Sequence, residues 1–196
     1  MKRIFIIQAI LAYNIAVMAQ SAQHKAFLGL TMGPSIPLGV FADNSPSNEH
    51  AGFAMTGYSD CLLNFGITPW KTYGISASLC YSEYNVDKTG TEDWWQVVGI
   101  TAGPMFSFPL TNKLILDLKP KAGLLLTTLV IDTYGYDENK GTGFEIEVKA
   151  SLRYNFARRW CVLEENGYFY TNQKYLGWRQ KIQAITFDLG IAYRFL

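Results

Sequence analysis

Residues 144 to 156 read FEIEVKASLRYNF, an alternation to which only an extended strand gives two coherent faces. Strand side chains point to opposite sides with period two. Phe144, Ile146, Val148, Ala150, Leu152, Tyr154 and Phe156 therefore share an apolar face, and Glu145, Glu147, Lys149, Ser151, Arg153 and Asn155 share a polar one. A helix would scatter the same residues around its circumference.

The pattern recurs. In KIQAITFDLGIAYRFL at the C-terminus, Ile185, Phe187, Leu189, Ile191, Tyr193 and Phe195 oppose Ala184, Thr186, Asp188, Gly190, Ala192 and Arg194. In LILDLKPKAGLLL, Leu114, Leu116, Leu118, Pro120, Ala122 and Leu124 oppose Asp117, Lys119, Lys121 and Gly123. Weaker copies at 26–33, 51–65, 71–84, 94–108 and 159–171 bring the total to eight strands, with almost no room for a helix. Tight turns near 66–70, 109–113 and 157–159 alternate with longer loops near 34–50, 85–93, 131–141 and 172–179. Short connections at one end and long ones at the other describe an up-and-down array of hairpins.

Which face is inside follows from composition. A soluble sandwich or lipocalin-like barrel buries its apolar face. Here the polar faces are rich in Gly, Ala, Ser and Thr, which suits a crowded concave interior. Threading the chain up and down also sorts the aromatics into two levels. Phe65, Trp70, Tyr73, Phe106, Phe108, Tyr154, Phe156, Trp160, Tyr193 and Phe195 fall near the short turns. Tyr81, Tyr84, Trp94, Trp95, Tyr134, Tyr136, Tyr168, Tyr170 and Trp178 fall near the long loops. Two aromatic girdles flanking an apolar band are the pattern of a transmembrane barrel. The expected fold is all-β, an eight-stranded antiparallel up-and-down transmembrane β-barrel with its polar face toward the lumen.

The N-terminus, MKRIFIIQAILAYNIAVMAQ, has a basic start at Lys2 and Arg3, an apolar stretch and small residues at Val17-Met18-Ala19. These are the parts of a secretory signal peptide, expected over 1–19, with the barrel domain over 20–196. Without Lys2 and Arg3, 15 basic residues face 16 acidic ones, which leaves no excess of positive charge for nucleic acid. The strand phases put Cys61 and Cys80 on opposite faces of neighbouring strands and Cys161 on a distant one. Three free thiols are therefore expected, acting as small hydrophobes.

With these features the chain resembles the small outer-membrane β-barrel proteins of Gram-negative bacteria, OmpX-like and OmpA-barrel-like, over 25–196. GPSIPLGVF after the first strand is similar to a Gly-x-Ser-x-Pro-x-Gly-x-Phe pattern of such porin-family barrels, and GIAYRF closes the chain. Chains of this class commonly end in an aromatic residue, whereas Phe195 is followed by Leu196. The resemblance implies outer-membrane location, contact with outer-membrane lipid and lipopolysaccharide, handling by the barrel assembly machinery, and a monomer.

Few residues offer chemistry. Barrels resembling lipid A deacylases or palmitoyltransferases need Ser and His together near the outer rim. The only histidines are His24, near the mature N-terminus, and His50, in the first long loop beside Asp43, Ser45, Ser47 and Glu49. A lone histidine on a polar loop is usually just solvated. No phosphate loop, nucleophile elbow or metal-spaced cluster is present, so no catalytic residue, metal or cofactor is assigned.

The remaining constellation is a polar network expected to fill the lumen: Asp117, Lys119, Lys121, Glu145, Glu147, Lys149, Arg153, Asp188 and Arg194, with Glu164, Tyr58 and Met105 as further candidates. The expected role is structural or interactive, through membrane integrity, adhesion or loop-mediated binding. A small pore is the second reading. A lipid-modifying enzyme or a barrel subunit of a secretion or assembly machine is the third.

Overall fold

A computed structural model describes residues 26–195 apart from 71, 88–92, 132–136 and 176–177. The expected signal peptide, His24, Tyr134 and Tyr136 lie outside the described residues, as does the side chain of Trp178. Eight strands follow one another: β1 (Ala26–Pro37), β2 (Gly57–Ile67), β3 (Tyr73–Asn85), β4 (Trp94–Pro109), β5 (Leu114–Ile131), β6 (Asp137–Tyr154), β7 (Trp160–Tyr175) and β8 (Trp178–Phe195). Each pairs antiparallel with the next, and β8 pairs with β1, so the sheet closes into a barrel with no free edge. No described helix is long and apolar enough to cross a membrane; the one helical element among the described residues is a 3₁₀ turn at Gly39–Phe41.

The faces of β6 fall as the alternation in 144–156 requires. Glu145, Glu147, Lys149, Ser151 and Arg153 are buried in the barrel, while Phe144, Ile146, Val148 and Tyr154 lie on its outer wall. The same division runs through β5 and β8. Leu30, Met32, Ile100, Leu124 and Leu189 add to an apolar belt that no other described part of the chain covers. Below the belt, edge-to-face aromatic pairs line the short-turn end: Tyr73 with Phe106 at 5.7 Å and Trp160 with Tyr193 at 5.3 Å between ring centroids.

Four expectations are corrected. First, Tyr84 and Trp95 do not belong to the outer girdle; they point into the barrel and are buried. Their level was legible, but they share the inward phase of Ser82 and Val97. Tyr58 is displaced the other way, onto the outer wall, whereas Met105 is inside.

Second, Cys61 and Cys80 form a disulfide, and Cys161 alone is free. A bulge shifts the β2–β3 register between Cys61 and Leu63. Leu62 and Leu63 consequently both face outward, while Cys61 and Asn64 both face inward. A strict period of two cannot see such an insertion, which flips the phase of everything beyond it. Cys61 is thereby the direct register partner of Cys80.

Third, the described residues of two of the four long connections, 131 and 137–141, and 172–175 and 178–179, are strand. The β5–β6 ladder runs unbroken to the Ile131–Asp137 pair, and β7 pairs with β8 up to Tyr175 and Trp178. At this end β6 (Asn139, Lys140) and β7 (Asn172, Gln173, Lys174) are polar on both faces and β5 (Leu129, Val130, Ile131) is apolar on both, so alternation vanishes from the sequence although the ladder continues. Fourth, Glu164 lies on the outer wall; its neighbour Glu165 is the one inside.

Candidate functional site

The lumen is closed at three levels. At the short-turn end Phe27, Met105, Cys161, Leu163 and Ala192 form an apolar floor. Phe27 supports the layer above it, with the Lys119 ammonium 5.1 Å and the Arg153 guanidinium 4.5 Å from its ring centroid, within cation–π range.

The middle layer is ionic. Lys119 Nζ lies 2.5 Å from Glu165 Oε1, and Lys121 Nζ lies 2.8 Å from Glu147 Oε2. Lys149 stands between three carboxylates, 3.2 Å from Glu147, 3.6 Å from Asp188 and 4.0 Å from Glu165. Arg153 Nη2 donates to Asp117 Oδ1 at 3.2 Å, and Ser107 Oγ donates to the same oxygen at 2.6 Å. Lys149 Nζ also reaches the disulfide, 3.0 Å from Cys61 Sγ. Two glycines make room for these long chains: a Cβ at Gly99 would meet Glu145 Oε2 at 2.6 Å, and one at Gly167 would meet Lys149 Cγ at 2.8 Å.

Of the nine residues expected in the network, all are inside and seven join ion pairs with one another or with Glu165. Glu145 and Arg194 are buried without a described ion-pair partner. Glu145 instead lines, with Ser59, Lys149 and Thr186, a cavity of about 20 Å³ above the ionic layer. That is room for a single water. Glu165 was missed because the inward face of β7 also carries Cys161, Leu163 and Phe169, so hydrophobicity does not tell its two faces apart.

The upper layer is a plug contributed by the first loop. Phe41, fully buried, packs edge-on against Tyr84 at 5.1 Å and Trp95 at 5.8 Å. Ala54, Val97, Leu125, Phe169, Ile182 and Ala184 complete the cluster. Polar tips anchor it: Trp95 Nε1 donates to Gly52 O at 2.9 Å, and Tyr84 Oη and Ser35 Oγ share a hydrogen bond of 2.6 Å. No signal of period two marks Phe41 as lumenal, because it enters from a loop.

The first loop also holds the residues considered for acid–base chemistry. Asp43 accepts from Asn48 Nδ2 at 2.6 Å and from the Ser45 amide at 2.9 Å, which together hold its carboxyl below the ordinary range. Ser45 and Ser47 share a hydrogen bond of 2.9 Å. The His50 amide donates to Asn48 Oδ1 at 3.0 Å, and its carbonyl accepts from Gln180 at 3.2 Å. The Asp43 carboxylate and these hydroxyls brace the turn. Among the described residues no group of three or more His, Cys, Asp or Glu side chains is placed to hold a metal.

No protein-family profile matches the chain, and no curated protein sequence matches it. Solved structures do. Neisserial surface protein A is similar at 14% identity and a TM-score of 0.59, over 87% of this chain and 97% of that one. Ail, the attachment invasion locus protein of Yersinia pestis, is similar at 14% identity and a TM-score of 0.55, over 89% and 100%. The outer membrane protein OprG of Pseudomonas aeruginosa follows at 12% identity and 0.52, over 90% and 98%. The chain therefore has the fold of the small outer-membrane β-barrels of Gram-negative bacteria, the class that its sequence resembles.

Proposed function

We propose that this protein is an integral outer-membrane barrel, exported by its N-terminal signal, that acts as a sealed scaffold presenting a structured loop end to partners. The observation that carries this reading is the three-layer filling of the lumen by floor, ion pairs and loop plug. An eight-stranded interior is just wide enough for side chains to fill, unlike the lumen of 16-stranded porins. With the lumen filled at these three levels, the surface available for function is the outside and the loop end. The description of Ail as an attachment invasion locus protein supports an adhesive role on such a scaffold.

The test is fractionation followed by reconstitution. The protein is expected in the outer-membrane fraction, migrating faster unheated than boiled on a detergent gel, and without large steady conductance in a planar bilayer. Recovery in soluble periplasm overturns the location. Sustained ion flux whose selectivity changes in Glu147→Gln overturns the sealed scaffold in favour of the pore. Loss of a lipid A acylation or deacylation product in cells carrying His50→Ala moves the function to enzymology.

A further inference from the structure

The outer wall of β7 carries two polar residues inside the apolar belt. Its outward positions run Trp160, Val162, Glu164, Asn166, Tyr168 and Tyr170, so a carboxyl and an amide stand exposed between the aromatics at the two ends of the strand's apolar stretch. Glu164 is two outward positions from Trp160 and two from Tyr168, roughly 13 Å of strand either way. A side chain of two methylenes does not carry its charge to either aromatic. The register partners of Glu164 are Leu152 on β6 and Leu189 on β8, and those of Asn166 are Ala150 and Phe187. Among the described residues no cation forms an ion pair with Glu164. Asn166 Nδ2 donates to Glu164 Oε1 at 3.4 Å, which is long for such a bond.

Hydrocarbon offers no hydrogen bonds, so an ionisable side chain at this depth normally meets a polar partner supplied by protein. This pair carries its own complement. A carboxyl accepts through both oxygens and a primary amide donates twice, so one long bond between them leaves most of that capacity unused. With acceptor and donor two positions apart on one strand, a twofold axis along the membrane normal sets Asn166 of each barrel against Glu164 of the other, the reciprocal contact of an isologous interface. Tilted strands cross at such an axis rather than lying side by side, which centres the contact on these two residues. A cationic partner would use the carboxyl alone; the amide beside it serves a partner that brings an acceptor, as a second copy does. Ala150, beside Asn166, is the smallest outward side chain between Phe144 and Tyr154, and small side chains let two membrane-embedded walls approach closely.

We propose that Glu164 and Asn166 are the centre of a homodimer interface within the membrane, with a second copy of this chain as the partner. Each carboxyl accepts from the other copy's amide, and Ala150, Leu152, Phe187 and Leu189 pack around the two bonds. The dimer replaces the monomer that the resemblance implies, and it rests on the membrane placement above.

The test uses the full-length barrel in phosphatidylcholine vesicles, with folding checked by heat-dependent gel mobility. Barrels carrying donor or acceptor dye at the N-terminus are mixed and diluted with lipid until energy transfer is lost. Wild type is expected to associate reversibly, and Glu164→Leu/Asn166→Leu to stay folded and weaken association about tenfold or more. Asn166→Asp, which leaves acceptors alone, is expected to weaken it as well. Glu164→Asn/Asn166→Glu exchanges donor and acceptor but keeps the reciprocal pairs, so it is expected to associate within a few fold of wild type. Oxidative crosslinking in outer membranes locates the face: Ala150→Cys is expected to give a product of twice the chain mass, and Ile75→Cys, on the outer wall of β3 across the barrel, none. A barrel that stays folded and monomeric at every dilution, or that associates equally well in Glu164→Leu/Asn166→Leu, overturns the interface and leaves the membrane placement standing. A crosslinked product of any other mass overturns the second copy in favour of a different membrane protein. A chain that never reaches the membrane fraction overturns the parent reading instead.

Discussion

Lys119 on β5 and Glu165 on β7 meet 2.5 Å apart across the intervening strand β6, both without solvent exposure. Such a pair is held by its partners rather than by burial, since desolvating either ion alone costs more than the hydrophobic surroundings return. Glu165→Leu is expected to destabilise the barrel by about 3–5 kcal/mol, because Lys119 is left buried and unmatched. Lys119→Met/Glu165→Leu is expected to recover most of that loss. Urea unfolding in bilayers of the two single variants and the double variant reads the coupling directly. Additive losses would mean the two charges do not depend on one another.

Leu152 faces outward at the register level of Glu164, between the aromatic levels. Leu152→Arg is expected to destabilise the barrel in a bilayer by less than the about 2–4 kcal/mol of a cation at the membrane midplane, because Leu152 is one outward step from Tyr154 in the girdle. The same substitution in detergent-free aqueous refolding has no hydrocarbon to meet. Equal behaviour in bilayers would reverse the inside and outside faces.

The disulfide gives a chemical signature. Unreduced, denatured protein is expected to alkylate at Cys161 alone, and reduced protein at all three cysteines, read by intact mass. Cys61→Ser/Cys80→Ser removes a covalent closure between residues 19 apart, a loop length whose crosslink is worth about 2–4 kcal/mol.

Phe41→Ala withdraws the ring that Tyr84 and Trp95 pack against. A loss of about 3–5 kcal/mol is expected for a buried aromatic truncated to a methyl. Red-shifted emission from Trp95, measured against a Trp95→Phe control, would show water entering the mouth. Unchanged emission would mean that the loop does not seal it.

Order in the first loop should depend on pH through Asp43. Its carboxyl is depressed from the ordinary 3.8 by Asn48 first and the Ser45 amide second. The sign follows: the contribution is fully present above 3.8 and fades as the pH falls below it and through the lower folded-state value. Protection of the Ser45 amide, relative to its intrinsic exchange rate, should fall in acid, and Asp43→Asn should abolish that dependence.

How much of this was legible depends on where two faces differ. Along β5, β6 and β8 one side is an exposed apolar wall and the other faces ions, so Leu124 against Lys121, or Phe144 against Glu145, announces both strand and orientation. Legibility fails wherever that contrast ends. Above the belt, Lys174 and Gln173 are polar on both faces of β7, and the strand reads as loop. At Cys61 the inserted residue of a bulge inverts the phase. Glu164 and Glu165 are chemically identical neighbours, and only the fold decides which one is inside. Phe41 reaches the lumen from a loop, where no periodicity operates.

The unequal strand lengths carry one more consequence. β2 has 11 residues whereas β5, β6 and β8 have 18. Eighteen residues rise roughly 45 Å at a barrel tilt near 40°, well past an apolar band about 25 Å tall. One side of the barrel thus continues into the surroundings as hydrogen-bonded sheet, with its backbone already fixed. A partner that docks on this side loses little conformational entropy to ordering it, and the interface forms near its final shape. Variation by insertion is left to the turn at 44–49 of the first loop, which lies outside the plug that holds Phe41 and Ala54. The molecule therefore offers two kinds of surface at one end, a rigid one for recognition by fit and an adaptable one for recognition by sequence change.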